Sequence, residues 1–394
     1  MRIGRSNWDF GNSTTMTMID GYYIEFPTNV VKITAEEAEA HYVSDVEKPE
    51  ELKENMMISI EQDGEKQYYL VGSAAENHPL GNRHIHKLHN KTTSIIPYAT
   101  FLAGLVYYYE AKKAEYDIEV EREINIDYFS TMLPIWLLVK TNKFSEMQDT
   151  MAKRFIGEHK VEVLTPGFAN EYTINVAQSK CRIEGEVARW ALKKTFTLED
   201  NPEADQFKDF ETVVVDLGGG TIDVAHLQAG LKAPKSRDSL NFTVDIPYLD
   251  HVDKLRQTMP EHFSDVRELD EFIVQNIGKS KMERKDGNSG EKVDLKAPIV
   301  SSLDKYAELV LEKVEDMIPV PKDKTYKYAY IGGVADILSE SIGRAVENKY
   351  TKDIFEQNHV FPTNARFLNL YALEILSIND TKAEKTATKV KVKN

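Results

Sequence analysis

Apolar and polar positions follow two rhythms along the chain. Period-two alternation and β-branched runs mark strands, and recurrence at three and four residues marks helices. "RIGRSNWDFGNSTTMTMIDGYYIEFP" reads as a hairpin, with Asp20-Gly21 at its second turn. "SDVEKPEELKEN" is an acidic, polar connection, and "YYLVGSAAEN" is a strand that leaves through Gly72. "IIPYATFLAGLVYYYEAKKAEYD" has helical length and an apolar face, with Tyr107 to Tyr109 as packing residues. "FSTMLPIWLLV" reads as a buried strand before an amphipathic helix near 143–156. "YTINVAQSKCRI" reads as a strand, "EGEVARWALKKTF" as a helix, and "LEDNPEADQFKDFE" as an acidic insertion at 198–211. "LDKYAELVLEKVEDMIP" places Leu303, Tyr306, Ala307, Val310, Leu311, Val314, Met317 and Ile318 on one helical face. "YKYAYIGG" is a strand ending in glycines, and "NARFLNLYALEIL" is the last helix. Strands alternating with helices indicate an α/β architecture. There is no repeat at a fixed short period.

Composition narrows the class. A chain of 394 residues, 41% hydrophobic and 29% charged, has material for two to three domains. No apolar run approaches the roughly 18 residues of a membrane span. The opening "MRIGRSNWDFGN" has no signal-peptide core. The one cysteine, Cys181, cannot form an intramolecular disulfide and fits a reducing, cytoplasmic compartment. A net charge of −15 argues against a direct grip on nucleic acid, which needs clustered Lys and Arg. Any contact with DNA therefore requires a basic intermediary. The last stretch, "TKAEKTATKVKVKN", has five lysines against one glutamate and is expected to be a disordered, solvated tail over 381–394.

The chemistry centres on "VVVDLGGGTIDVAHL" at 213–227. A Gly-rich turn between strands exposes backbone N–H groups that bind phosphate oxygens. A carboxylate beside that cradle, Asp216, would repel phosphate unless a Mg²⁺ ion lies between, held partly through water. Taken alone, the stretch reads equally as a Gly-rich hairpin with no ligand. It has a counterpart, however. In "WDFGNSTT" at 8–15, Asp9 is followed by Gly11, Asn12, Ser13 and Thr14, which can donate to a terminal phosphate. A third element, "YIGGVADIL" at 330–338, lets Gly332 and Gly333 approach a base or ribose closely. Rival phosphate motifs fail. Gly278-Lys279-Ser280 has the P-loop ending, but Ile273 stands where the first glycine belongs. The dinucleotide pattern fails because Asp223 occupies its last glycine position.

In this order, "DFGNST", "DLGGGTID" and "IGGVADIL" resemble the first phosphate loop, second phosphate loop and adenosine motif of the actin-like ATPase superfamily. The resemblance covers most of the chain and is most specific at "DLGGGTID". It implies a two-lobed α/β fold with ATP (or GTP) and Mg²⁺ in a central cleft. The first lobe would hold 1–181, completed by a C-terminal helix at 361–380, and the second 182–360. By the resemblance, Gly11, Asn12, Ser13, Thr14, Gly218, Gly219, Gly220, Thr221, Gly332 and Gly333 bind the nucleotide. Asp9 and Asp216 hold the metal, and Glu184 and Asp216 act in catalysis. Glu184, in "CRIEGEVARWAL", would activate the attacking water, and Glu186 fits the pattern less well.

Length, "IEFPTNV", "YYLVGSAAE" and "NARFLNLYALEIL" look most like plasmid-segregation actins of the ParM type. In that family ATP drives head-to-tail filaments, hydrolysis destabilises them, and a small adaptor joins the filament to centromere-like plasmid DNA. The alternative is a non-filamentous, chaperone-like ATPase of the same superfamily. A small-molecule kinase ranks third.

Two clusters are weaker. His78, His84, His86 and His89 crowd one stretch that could suggest a metal, but no acid or cysteine completes the set. "GKSKMERK" at 278–285 reads as a basic helix whose Lys281 or Glu283 could reach a nucleotide base.

Overall fold

The β-branched and aromatic runs assemble into two sheets. The computed structural model describes residues 1–392 apart from 43, 63, 77, 79–89, 117–121, 286–288 and 320, with side chains to residue 383. The first sheet is built from β1 (Arg2–Phe10), β2 (Thr14–Ile19), β3 (Tyr22–Pro27), β4 (Val30–Ile33), β5 (Met57–Gln62), β6 (Glu65–Val71), β7 (Glu123–Leu133), β8 (Gly157–Val163), β9 (Asn170–Val176) and β10 (Ser179–Ile183). Its order is β3-β2-β1-β7-β9-β8-β5-β6-β4, with β10 also on β7. The expected hairpin is therefore a three-strand meander. Asp20 (φ 46°) and Gly21 (φ 85°) make its second turn, as a tight hairpin turn with positive φ at both centres requires.

The second sheet contains β11 (Glu211–Leu217), β12 (Ile222–Gln228), β13 (Lys232–Pro234) and β14 (Leu240–Thr243). A separate ribbon pairs β15 (Glu283–Lys285) with β16 (Lys292–Asp294). β17 (Tyr326–Ile331) and β18 (His359–Val360) complete the second sheet, in the order β13-β12-β11-β17-β18 with β14 on β12. Both sheets share one plan: an antiparallel hairpin (β1-β2, β11-β12) whose first strand also pairs in parallel with a later strand (β7, β17).

Several expectations change. The run 132–139 is not one strand. Pro134 lacks the N–H a central strand would use, so β7 stops at Leu133 and a helix begins, Ile135–Thr141. "YTINVAQSKCRI" splits into β9 and β10, which lie on the two halves of β7. The helix expected from 184 is only Arg189–Lys193, which leaves Glu184 on a turn. The polar connection at 44–55 holds a short helix, Pro49–Glu54, with Pro49 in its first turn. The helix Ile95–Lys112 is buried on all sides from Ala99 to Glu110, rather than along one face. The basic stretch at 278–285 enters β15 and is not helical.

The helix Lys296–Met317 buries Leu303, Tyr306, Ala307, Val310, Leu311 and Val314 as the periodicity requires. The last helix, Leu368–Val392, continues through most of the stretch expected to be disordered. Ala, Lys and Glu favour helix, and elongating an existing helix escapes the nucleation cost. This helix packs against β1, β2, β7 and the helix Arg189–Lys193. Two acids fix it there. Glu374 accepts from Arg5 (2.9 Å) and Asn7 (2.5 Å), and Asp380 accepts from Tyr128 (2.6 Å), Lys180 (2.9 Å) and Arg182 (2.8 Å). The acidic insertion is also tied down, through the 3₁₀ turn Pro202–Phe207 and buried Phe207.

Candidate nucleotide site

The two glycine hairpins meet tip to tip. In the first, Phe10 pairs with Thr15, leaving Gly11, Asn12, Ser13 and Thr14 to make the turn. A Cβ at Gly11 would lie 2.4 Å from the Thr14 carbonyl oxygen, so the turn admits only glycine there. Thr28 N–H donates to the Ser13 carbonyl (2.9 Å), and the Thr15 and Thr28 hydroxyls lie 2.8 Å apart, holding the turn in place. In the second, Leu217 pairs with Ile222, and Gly218 N–H donates to the Thr221 carbonyl (3.0 Å). Gly219 and Gly220 form its tip. The β position of Gly219 is 3.8 Å from Ser13 Oγ, so the two tips are in contact range.

The third glycine element closes on the second. Gly332 has φ 91°, and a Cβ there would lie 2.4 Å from Asp216 Oδ1 and 2.7 Å from the Leu217 carbonyl oxygen. Gly333 faces open space within 4 Å of its β position. One glycine is fixed by packing and the next by an opening.

Acidic side chains gather beneath the hairpins, at the carboxyl ends of the parallel strands, where open α/β sheets place their ligands. Asp9 and Asp216 are the penultimate residues of β1 and β11, Asp223 on β12 pairs with Asp216, and Glu184 follows β10. Lys91, 2% exposed, donates to Glu184 Oε2 at 3.3 Å. Burial, with Glu184 close by, raises Asp216 to about 7. The same two causes push Asp9 and Asp223 well above the usual carboxylate range. Asp223 also accepts from the Trp136 N–H (3.3 Å), at the start of the helix that follows β7.

Asn369, on the last helix, joins the parts. Its Nδ2 donates to Asp216 Oδ2 (2.6 Å), and its Oδ1 accepts from Gly185 N–H (3.0 Å).

This cluster fits a hydrated divalent cation. Asp9 Oδ1 is buried with no hydrogen-bond partner. Several buried acids crowd together with raised pKa values, and a cation among them would favour their ionised forms. Among the described residues no group of three or more acids, histidines or cysteines could hold a metal ion by itself.

Of the residues expected to bind phosphate or metal, the structure brings Ser13 towards Gly219, Gly332 against Asp216, and Asp9, Asp216 and Glu184 within electrostatic reach of one another. Glu186 instead pairs with Arg189 (2.6 Å). Lys281 pairs with Glu283 (3.6 Å) on the β15 ribbon. His84, His86 and His89 lie outside the described residues. Cys181 packs on the first core, and burial pushes its thiol up. Lys91 and Asn369 belong to the site without belonging to any of its sequence motifs. Neither sits in a glycine motif, and the one usable signal was Asn369 inside an otherwise apolar helix start, "FLNLYAL".

Two sheets of one plan, each contributing an Asp-led glycine hairpin to a shared acidic centre, define an actin-like protein. Residues 211–365 match the Alp7A C-terminal domain family. The crystal structure of the actin-like protein Alp7A is 50% identical over 100% of both chains, with a TM-score of 0.93. The chain belongs to the Alp7A family of actin-like proteins. The fold extends to ParM of Bacillus thuringiensis with AMPPNP (15% identity, 96% of this chain and 99% of that one, TM-score 0.62). It extends also to the ParM of a 15-stranded filament from Clostridium botulinum (14% identity, 96% and 100%, TM-score 0.61). Among the curated proteins compared, none matches. No helix among the described residues is long and apolar enough to cross a membrane.

Proposed function

We propose that this chain is an ATP-driven, filament-forming actin homologue that segregates plasmid DNA, with hydrolysis destabilising the filament. The observation that carries the reading is the meeting of the two Asp-led glycine hairpins, Ser13 against Gly219, above buried carboxylates. Likeness to Alp7A, to a ParM with AMPPNP and to a ParM filament supports it.

In this reading residues 1–181 and 361–380 form one lobe and 182–360 the other, with the nucleotide between. Backbone N–H groups of Gly11 to Thr14 and of Gly218 to Thr221 bind the phosphates. Gly332 and Gly333 admit the adenosine. Asp9 and Asp216 hold Mg²⁺ through its waters, and the bound ion supplies charge neutralisation at the phosphates. Glu184 orients the attacking water and accepts its proton, with its carboxylate held by Lys91. Positioning and electrostatics carry most of the rate.

Nucleotide between the lobes selects the lobe angle at which head and tail surfaces match, and a heterologous contact that does not close builds a filament. The acidic body works in the cytoplasm and leaves DNA to a small basic adaptor bound at a centromere-like plasmid site. Pelleting and negative-stain microscopy with Mg²⁺ and ATP test assembly, and co-sedimentation of labelled DNA with and without the adaptor tests recruitment. A monomer in every nucleotide state contradicts the filament, and tight adaptor-free DNA binding contradicts the adaptor.

A further inference from the structure

A second contact between the two halves of the chain lies away from the hairpins. Glu76 closes the short helix Ser73–Glu76, which packs on β3, β4 and β6 of the first sheet. Arg267 opens the helix Val266–Asn276, which packs with the second core through Val266, Leu269 and Ile273. The Arg267 guanidinium donates through Nη1 to Glu76 Oε1 across 191 residues of sequence. Neither side chain is fully exposed, at 20% for Arg267 and 29% for Glu76.

Asp265, Asp270 and Glu271 of its own helix favour the arginine's charge, but none takes up its free N–H groups. Its Nε and Nη2 are buried with no hydrogen-bond partner, and among the described residues the guanidinium's hydrogen bond goes to Glu76. A guanidinium in that condition gains from its carboxylate partner and is costly to strand. On its own side Glu76 is tied to the first hairpin. Buried Asn29 donates to Glu76 Oε1 (3.4 Å), and its carbonyl accepts from Gly72 N–H (2.9 Å). The preceding residue, Thr28, donates its N–H to the Ser13 carbonyl (2.9 Å). Arg267, Glu76, Asn29, Thr28 and Ser13 thus form a continuous line from the second lobe to the tip of the first glycine hairpin.

We propose that Glu76 and Arg267 form a latch across the cleft that sets the rate of nucleotide release, with Asn29 and Thr28 reporting the position of the first hairpin to it. This rests on the cleft being a nucleotide site. Parting the lobes enough to free a nucleotide removes the guanidinium's hydrogen-bond partner and leaves it only the nearby acids of its own helix, so the closed state is favoured by the pair. A phosphate that seats the Ser13 turn holds Thr28 and Asn29 in register, keeping Glu76 under the guanidinium. Loss of that order loosens the latch.

The test uses the full-length protein below its assembly concentration, loaded with Mg²⁺ and a fluorescent N-methylanthraniloyl ADP, then chased with excess ADP in a stopped-flow instrument. Glu76→Gln and Arg267→Gln should each speed release by about tenfold. The double variant should release no faster than the faster single, because both remove one interaction. Asn29→Ala should give a smaller acceleration in the same direction. The two singles alter different lobes, and Glu76→Gln keeps side-chain volume at a half-exposed site, so at least one reports on a folded protein. Normal nucleotide loading with wild-type release rates in both singles, or accelerations that multiply in the double, overturns the latch alone. Failure of the wild type to load nucleotide overturns the site reading and the latch with it.

Discussion

Gly332 and Gly333 are adjacent in sequence, and the structure gives them opposite reasons to be glycine. Gly332→Ala puts a methyl 2.4 Å from Asp216 Oδ1 and 2.7 Å from the Leu217 carbonyl oxygen, on a backbone at φ 91°. That carbonyl cannot retreat without losing its bond from Val334 N–H (3.0 Å). The positive φ costs about 1–3 kcal/mol and the overpacking a similar amount, giving roughly 2–6 kcal/mol in all. Against a usual stability of about 5–15 kcal/mol that is a large fraction. At about 2.1 cal/mol/K per residue, thermal unfolding of the 394-residue chain followed by circular dichroism should show Tm falling by roughly 2–7 °C. Gly333→Ala meets nothing within 4 Å and has no positive φ, so Tm should stay within about 2 °C. Its methyl fills the opening assigned to adenosine, so ATP affinity should weaken by about tenfold or more. Equal Tm values for the wild type and Gly332→Ala would refute the packing argument. Unchanged ATP affinity in Gly333→Ala would refute the adenosine assignment.

Other outcomes follow from the acidic centre and the second core. Glu184→Ala should slow phosphate release by about 10²–10⁴ while sparing nucleotide affinity, and should prolong filament lifetime after ATP addition. Asp216→Ala should remove Mg²⁺-dependent hydrolysis without unfolding the chain, seen as phosphate release that no longer responds to Mg²⁺ while circular dichroism is unchanged. His359 is buried against Tyr328 and Tyr330, and burial lowers it from 6.5 to about 4. The unfolded chain therefore takes up that proton first on acidification. The stability that neutral His359 provides is complete above about pH 6.5 and declines by about 3 kcal/mol as pH falls to about 4. The raised Asp9, Asp216 and Asp223 work in the opposite direction over this range, so the comparison is with His359→Phe. Between pH 7 and pH 4.5, urea unfolding should show the wild type losing about 3 kcal/mol relative to the variant.

What the sequence made legible follows from how local each feature is. The hairpins were readable because acid, glycines and hydroxyl residues are neighbours, and strand pairing brings the ends of each motif together. The helix Lys296–Met317 was readable because one buried face imposes its period over many turns. Residues 132–139 misled because a short apolar run suits a strand or a buried helix equally, and Pro134 serves as a strand end and a helix start. Lys91 and Asn369 were invisible for a different reason. Lys91 reaches Glu184 across 93 residues, and Asn369 reaches Asp216 across 153. Such contacts are products of the tertiary fold. The pairing of Glu76 with Arg267 across the two halves is hidden in the same way.

On the function proposed above, both glycine hairpins clasp one nucleotide through a metal held by Asp9 and Asp216. Isothermal titration of the purified chain with ATP, with Mg²⁺ present and then chelated, tests it most directly. One ATP should bind per chain, with affinity that falls sharply on chelation in the wild type and that Asp216→Ala no longer couples to Mg²⁺. ATP binding that is absent, or indifferent to both Mg²⁺ and Asp216, would contradict it.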